Sequence, residues 1–185
     1  MNPKMIKSIM IYLIIIVPVG MFCMYHLITG NVTITYHGYG VDSSGNLYVG
    51  LEREIAVYDG DSKISSIQTA ASTARAYYFT VQHDDTILLS TASNVYVLDL
   101  NGNILSKTED TNTVVYDRLQ WSGKNFTATD GTQYVRCASL GRMRIETSDG
   151  NVIYQMPMFD FVVKIITCLW LLSMAIFIPI IVKQK

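Results

Sequence analysis

A chain of 185 residues with a net charge of −1, half of it hydrophobic and 16% charged, holds about one domain's worth of structure, and its apolar residues are concentrated at the two ends. Residues 30–157 between those ends are polar, rich in Tyr and Thr, and carry nine Lys and Arg against fourteen Asp and Glu, a net of −5. Such a surface repels phosphate backbones, and with only Arg142 and Arg144 close together it excludes nucleic acid as a partner.

Lys4 and Lys7 precede an apolar run over residues 9–28, long enough to cross the hydrocarbon core as a helix. It is too long for the apolar region of a cleaved signal peptide and lacks a small-x-small site, so it reads as an uncleaved anchor. Pro18 and Gly20 are expected to bend it. A second run, residues 160–182, carries Trp170 and ends before Lys183 and Lys185. Basic residues flank both runs at the extreme ends, so the positive-inside rule places residues 1–8 and 183–185 in the cytoplasm and residues 30–157 outside. Asp160 and Lys164, four apart, are expected to pair at the outer interface. Gly20, Ser173 and Ala175 are small enough to let the two helices pack on each other or on a partner.

Between the runs, residues 41–66 recur as residues 81–106, with Leu47 matching Ile87, Val57 matching Val97 and Asp59 matching Asp99. A period near 40, with several short alternating runs in each copy, is the spacing of a propeller blade. Strands are expected at residues 31–36, 46–51, 55–59, 63–69, 76–82, 86–91, 95–100 and 103–108, divided by turns rich in Gly, Asp, Asn and Ser. Residues 70–76 have the one helical flavour of the region. A looser third unit opens with a strand at 114–121, continues at 125–129 and 133–138, and carries eight extra residues around 137–142, expected as a loop that could serve as a contact site. The fold class expected is an all-β extracytoplasmic domain of three antiparallel repeats, at about 31–69, 76–108 and 114–156, between two transmembrane helices.

The stretch Val41-Asp42-Ser43-Ser44-Gly45-Asn46-Leu47-Tyr48-Val49, followed by Ile55-Ala56-Val57-Tyr58-Asp59, resembles the blade motif of NHL-type and related bacterial propellers. The resemblance implies a bacterial ligand or protein platform; some such propellers are enzymes. Closed propellers have typically four to eight blades, and three leave sheet flanks to be covered. The chain could close on itself, with residues 31–39 lying beside 151–155, or two chains or a second protein could complete a ring.

Chemistry-bearing patterns are sparse. Cys23 and Cys168 lie in the apolar runs and Cys137 alone between them, so no disulfide can staple the central domain of one chain; all three read as buried apolar residues, with a Cys137 bridge between chains as the other reading. Asp59-Gly60-Asp61 and Asp99 to Asn103 look like calcium loops but lack the distal Glu, and read as turns. No zinc spacing, nucleophile elbow or phosphate loop occurs, and neither metal, cofactor nor catalytic residues are assigned. Arg75, Tyr77, Tyr78, Trp121, Arg142 and Arg144 are the types that supply energy at protein interfaces, and form the candidate contact surface. The function expected is a membrane-anchored binding or interaction module, self-associating or an accessory subunit of a membrane complex; the alternative is a small-ligand sensor or enzyme with its site at the blade axis. Against that alternative, the equivalent repeat positions, Leu47, Ile87 and in the third unit Phe126 or Thr127, are mostly apolar.

Overall fold

A computed structural model describes residues 10, 12–69, 77–91, 93–110, 113–122 and 124–182. The chain forms two compact units: residues 1–34 together with 157–185, and residues 35–156.

The first unit is helical. A π-helical turn, Tyr12–Ile16, leads into α1 (Val17–Ile28), and after the second unit the chain returns as α3 (Met158–Val182). Pro18 explains the π turn: it has no N–H to donate and its ring collides with the carbonyl four residues back, so the helix widens just before it. Gly20 of α1 is buried, and a Cβ on it would come within 2.2 Å of the Trp170 ring of α3. Ser173 donates to the Trp170 carbonyl at 2.7 Å, one turn back on its own helix, and lines the same groove as Gly20, whereas Ala175 is exposed. Gly20 and Ser173 thus lie where α1 and α3 meet, whereas Ala175 faces away from that contact. Asp160, at the start of α3, accepts from the backbone N–H of Thr33 at 3.0 Å, and Cys23, Val32 and Val163 form a small core beside it. Residues 158–176 are one helix long and apolar enough to cross a membrane; the described part of the N-terminal run, Ile14–Ile28, is shorter.

The second unit is three four-stranded antiparallel sheets, each an up-and-down meander of the blade kind. Sheet 1 holds β1 (Tyr39–Val41), β2 (Leu47–Gly50), β3 (Glu54–Asp59) and β4 (Ser62–Gln68). Sheet 2 holds β5 (Tyr77–Val81), β6 (Ile87–Thr91), β7 (Asn94–Leu98) and β8 (Ile104–Glu109). The helix α2 (Val114–Ser122) then precedes sheet 3, made of β9 (Asn125–Thr127), β10 (Gln133–Ser139), β11 (Arg142–Thr147) and β12 (Val152–Gln155).

One turn recurs because one local chemistry recurs. At 42–46, 82–86, 99–103, 128–132 and 147–151, the first residue donates to the carbonyl of the fifth and accepts from the N–H of the fourth, with distances of 2.8–3.1 Å. The fourth residue is left-handed in all five: Gly45, Gly102, Gly131 and Gly150, and Asp85 with φ of 58°. This is a type I turn closed by a left-handed residue, a common three-residue hairpin loop. In the first and third, the leading Asp folds its carboxylate over the turn: Asp42 accepts from the N–H groups of Ser44 and Asn46, and Asp99 from those of Asn101 and Asn103. The Asp99 loop is thus turn chemistry, its acceptors already occupied by the chain's own donors.

Strand alternation decides how the sheets stack. Tyr48, Ile55, Val57 and Ile67 of sheet 1 pack with Tyr77, Phe79, Val81, Ile87, Leu89 and Leu98 of sheet 2. The two sheets approach closely because Gly40 and Gly50 face that side; a Cβ on either would stand 2.7–2.8 Å from Val81 or Phe79. From the other side of sheet 1, Tyr39 and Tyr58 meet Phe126 and Tyr154 of sheet 3, with ring centroids 6.1 and 5.3 Å apart. Sheet 1 is therefore the middle layer. On the other face of sheet 2, α2 packs over β5 and β6, where the Tyr116 and Tyr78 rings lie 5.0 Å apart.

Three expectations are corrected. Residues 114–121 are helical, not a strand: Asp110 caps the helix by accepting from the N–H groups of Val114 and Val115 at 3.1 and 3.0 Å, and packing on sheet 2 overrides the β-branched Val pair. The extra residues at 137–142 form no loop but lengthen the β10–β11 hairpin, which turns tightly at Leu140 and Gly141, both left-handed. Residues 31–36 form no strand, and no ladder joins Tyr36 to β12, although its ring and hydroxyl meet Tyr154 there; the chain that follows binds sheets 1 and 2 instead, His37 N–H to Gly50, Gly50 N–H to Gly38, and Phe79 N–H to His37. The segment 70–76 lies outside the described residues.

Candidate functional site

Where the approach to β1, the inner strand β5, α2 and sheet 3 converge, they leave a cavity of about 500 Å³ lined by Tyr36, Gly38, Tyr78, Leu119, Gln120, Lys124 and Arg136. Its walls are held by bonds that do not use the pocket. The Tyr36 hydroxyl is 3.3 Å from that of Tyr154, and Tyr78 is flanked by the rings of His37 and Tyr116. Lys124 and Arg136 are opposed across the β9–β10 pair, the Arg136 N–H donating to the Lys124 carbonyl at 2.8 Å. The Tyr39 hydroxyl ties the same corner, donating to the carbonyls of Lys124 and Tyr134 at 3.0 and 2.9 Å. Burial pushes the Tyr39 phenol up to about 12, against the pull of the Arg136 charge. That phenol stays protonated and serves as a donor.

The electrostatics of the lining are one-sided. Among the described residues, two cations and no carboxylate line the cavity, and the ion pairs are Lys63 with Glu54 and Arg144 with Glu146, neither of which involves the pocket. Behind the wall, His37 is buried with an Nδ1 that has no partner among the described residues, and burial holds its imidazole below the usual range despite a backbone hydrogen bond at Tyr77. It is a neutral ring at pH 7. No three His, Cys, Asp or Glu side chains converge among the described residues as a metal group requires.

The residues singled out from the sequence do not make one surface. Tyr77 is fully buried, 0% exposed, and donates to the carbonyls of Leu51 and Glu54 at 2.6 and 2.8 Å. It is a core residue that stitches β5 to sheet 1, and the expectation of a surface role is corrected. Tyr78, its neighbour on the opposite face, does line the pocket. Arg142 and Arg144 lie on β11: the first donates through Nε to the Met156 carbonyl, and the second has its Nε 2.6 Å from Glu146 Oε1, a charge contact without hydrogen-bond alignment. Arg75 and the Trp121 side chain lie outside the described residues. Cys137 is protonated, its thiol raised first by the hydrogen bond to Glu146 at 3.2 Å.

Tyr36, Gly38, Gln120, Lys124 and Arg136 escaped the sequence reading because they sit in connectors or in the divergent third unit, without counterparts in the repeat. One signal was available. The turn at 128–132 sets the β9–β10 register, and that register alone puts Lys124 opposite Arg136 in an otherwise acidic domain.

No protein-family model matches the chain, and no curated protein does. The NHL resemblance thus remains one of blade motif. Among solved structures, a protein of unknown function from Bacteroides caccae matches with a TM-score of 0.36 and 12% identity, over 65% of this chain and 44% of that one. A catalytically inactive virginiamycin B lyase from Staphylococcus aureus in a structure with quinupristin matches with a TM-score of 0.36 and 12% identity, and a streptogramin B lyase structure with 0.35 and 12%, each over 68% of this chain and 42% of that one. The chain spans less than half the length of each of these proteins.

Proposed function

We propose that the chain is a membrane-tethered binding module: α1 and α3 cross the bilayer with both termini in the cytoplasm, and the three-sheet unit is displayed outside. The observation that supports the tether is the character of the helical unit's surface. Ile14, Ile15, Met21, Phe22, Tyr25 and Ile28 of the first helical segment are exposed, as are Phe159, Leu169, Leu171, Leu172 and Ile176 of α3. A soluble helix pair would turn polar residues outward; an apolar exterior calls for a lipid solvent. The β unit, acidic and built of meanders whose open faces and corners leave a pocket, has the form of a platform rather than an enzyme with a recognisable catalytic group. A groove of about 320 Å³ on the helical unit, lined by Gly20, Trp170 and Ser173 among others, supports a partner membrane helix as the route by which such a module would join a larger complex.

The test is topological. Leu140, 93% exposed at the tip of the β10–β11 hairpin, is replaced by Cys in a Cys137→Ser background and treated with a membrane-impermeant maleimide on intact cells. Labelling before lysis is expected. Labelling only after lysis would place the β unit inside and end this reading.

A further inference from the structure

The cavity among Tyr36, Tyr78, Leu119 and the Lys124–Arg136 pair gathers positive charge in an acidic β unit, with no carboxylate among its described lining residues to meet it. We propose that this pocket binds a small organic anion, a carboxylate or phosphate carried on a flat or apolar body, with Arg136 and Lys124 holding the charged group. About 500 Å³ is the size of a small-molecule site. A partly buried guanidinium loses hydration, and a native structure normally returns that loss through a carboxylate partner. Neither cation forms an ion pair among the described residues, so an incoming anion supplies what the chain does not. The Arg fork matches the two oxygens of a carboxylate or phosphate, and a neighbouring Lys adds a movable point charge.

The rest of the wall selects the body of the ligand. Leu119 is buried, the Tyr36 hydroxyl is taken by Tyr154, and the Tyr78 ring is braced by Tyr116, so the aromatic groups offer ring surface. Gln120 adds one neutral donor and acceptor. The backbone that carries the pair is fixed before a ligand arrives, because the Arg136 N–H and the Tyr39 hydroxyl both bind the Lys124 carbonyl, which leaves only the side chains to be ordered. That lowers the ordering cost of binding. The surrounding net charge of −5 makes the pocket a local well rather than part of a general basic surface, so selection falls on small anions that can enter and not on polyanions that would lie across the domain.

The test is calorimetric titration of the full chain in a neutral detergent with benzoate, phenyl phosphate, inorganic phosphate, benzyl alcohol and benzamidine. Saturable binding of benzoate or phenyl phosphate, one per chain, is expected, weakened roughly tenfold or more by Arg136→Gln and by Lys124→Gln. Lys107→Gln, on the outer strand of sheet 2, should leave it unchanged. Preference for phenyl phosphate assigns a phosphate ligand, and preference for benzoate a carboxylate. The proposal is overturned if neither anion binds up to about 10 mM, if benzyl alcohol or benzamidine binds as tightly, if inorganic phosphate alone matches phenyl phosphate, or if Lys107→Gln weakens binding as much as the pocket variants. Lys124 is exposed, so its variant keeps the test valid should Arg136→Gln fail to fold. None of these results depends on which side of the membrane the domain occupies.

Discussion

Gly102 and Gly131 hold the same left-handed position, with φ of 88° and 86°, in two hairpins of one design, yet only Gly102 has a close neighbour: a Cβ there would stand 2.5 Å from Ile67 Cγ2, whereas nothing lies within 4 Å at Gly131. Gly131→Ala is therefore expected to cost about 1 kcal/mol of stability, the backbone term alone, and Gly102→Ala more, about 2 kcal/mol, because sheet 1 must also give way. Chemical denaturation of the two variants checks the difference. His37 gives a second test. Its ring is buried and held below 6.5, so the unfolded chain takes up the proton first, and native stability is lost as pH falls below that value. The exposed turn carboxylates Asp84, Asp99 and Asp130 are lowered from 3.8 by their turn hydrogen bonds, and so act only at more acid pH. Between pH 7.5 and 5 the melting temperature should fall in the native chain and stay flat in His37→Gln; equal slopes would remove His37 from the explanation. Three of these turns, at 42–46, 99–103 and 147–151, were legible in the sequence because their chemistry is local: Asp or Thr leads, Gly takes the left-handed place, and Asn follows, whereas the turn at 128–132 opens on Ala128 and closes on Thr132. The exception, Asp85, holds a left-handed backbone without glycine, and its carboxylate accepts from the N–H and hydroxyl of Ser43, tying the first hairpin of sheet 2 to that of sheet 1.

Seven of the eight strands of the first two sheets, β2 to β8, fall within a residue or two of where hydrophobic alternation puts them, because the period of two admits no slip; β1 does not, lying at Tyr39–Val41 rather than at 31–36. The helix α2 was misread for a complementary reason. Val114, Val115 and Tyr116 favour a strand in isolation, and what makes them helical is the Asp110 cap and a seat on sheet 2, contacts made across the fold. Asp110→Ala is expected to cost about 1 kcal/mol and to speed amide exchange across Val114–Ser122 while leaving sheet 1 protected. Uniform loss of protection would mean that α2 and the sheets unfold as one. In the helical unit, Gly20→Leu must push the Trp170 ring aside, and its fluorescence in a Trp121→Phe background should shift on that substitution. An unchanged spectrum would mean that α1 and α3 do not meet at Gly20.

The molecule meets the three-blade difficulty by stacking rather than by closing a ring. Sheet 1 is covered on one face by sheet 2 and on the other by sheet 3, and α2 packs on β5 and β6 of sheet 2, so the apolar faces of sheet 1 are buried within one chain. Three repeats were readable in the sequence, but not this order, because the pairing of sheet 1 with sheet 3 rests on Tyr39, Tyr58, Phe126 and Tyr154, which no repeat pattern distinguishes from other aromatic residues. For the same reason the pocket was invisible: it is a product of the stacking and of the connectors that return the chain to sheet 3. The most direct check on this picture is the melting temperature of the β unit in the full chain, followed by its sheet signal in detergent at two protein concentrations about a hundredfold apart. A fold completed within one chain melts at the same temperature at both. A melting temperature that falls on dilution would show that a second chain supplies part of the core, and the stacked arrangement with its intrachain pocket would have to be abandoned.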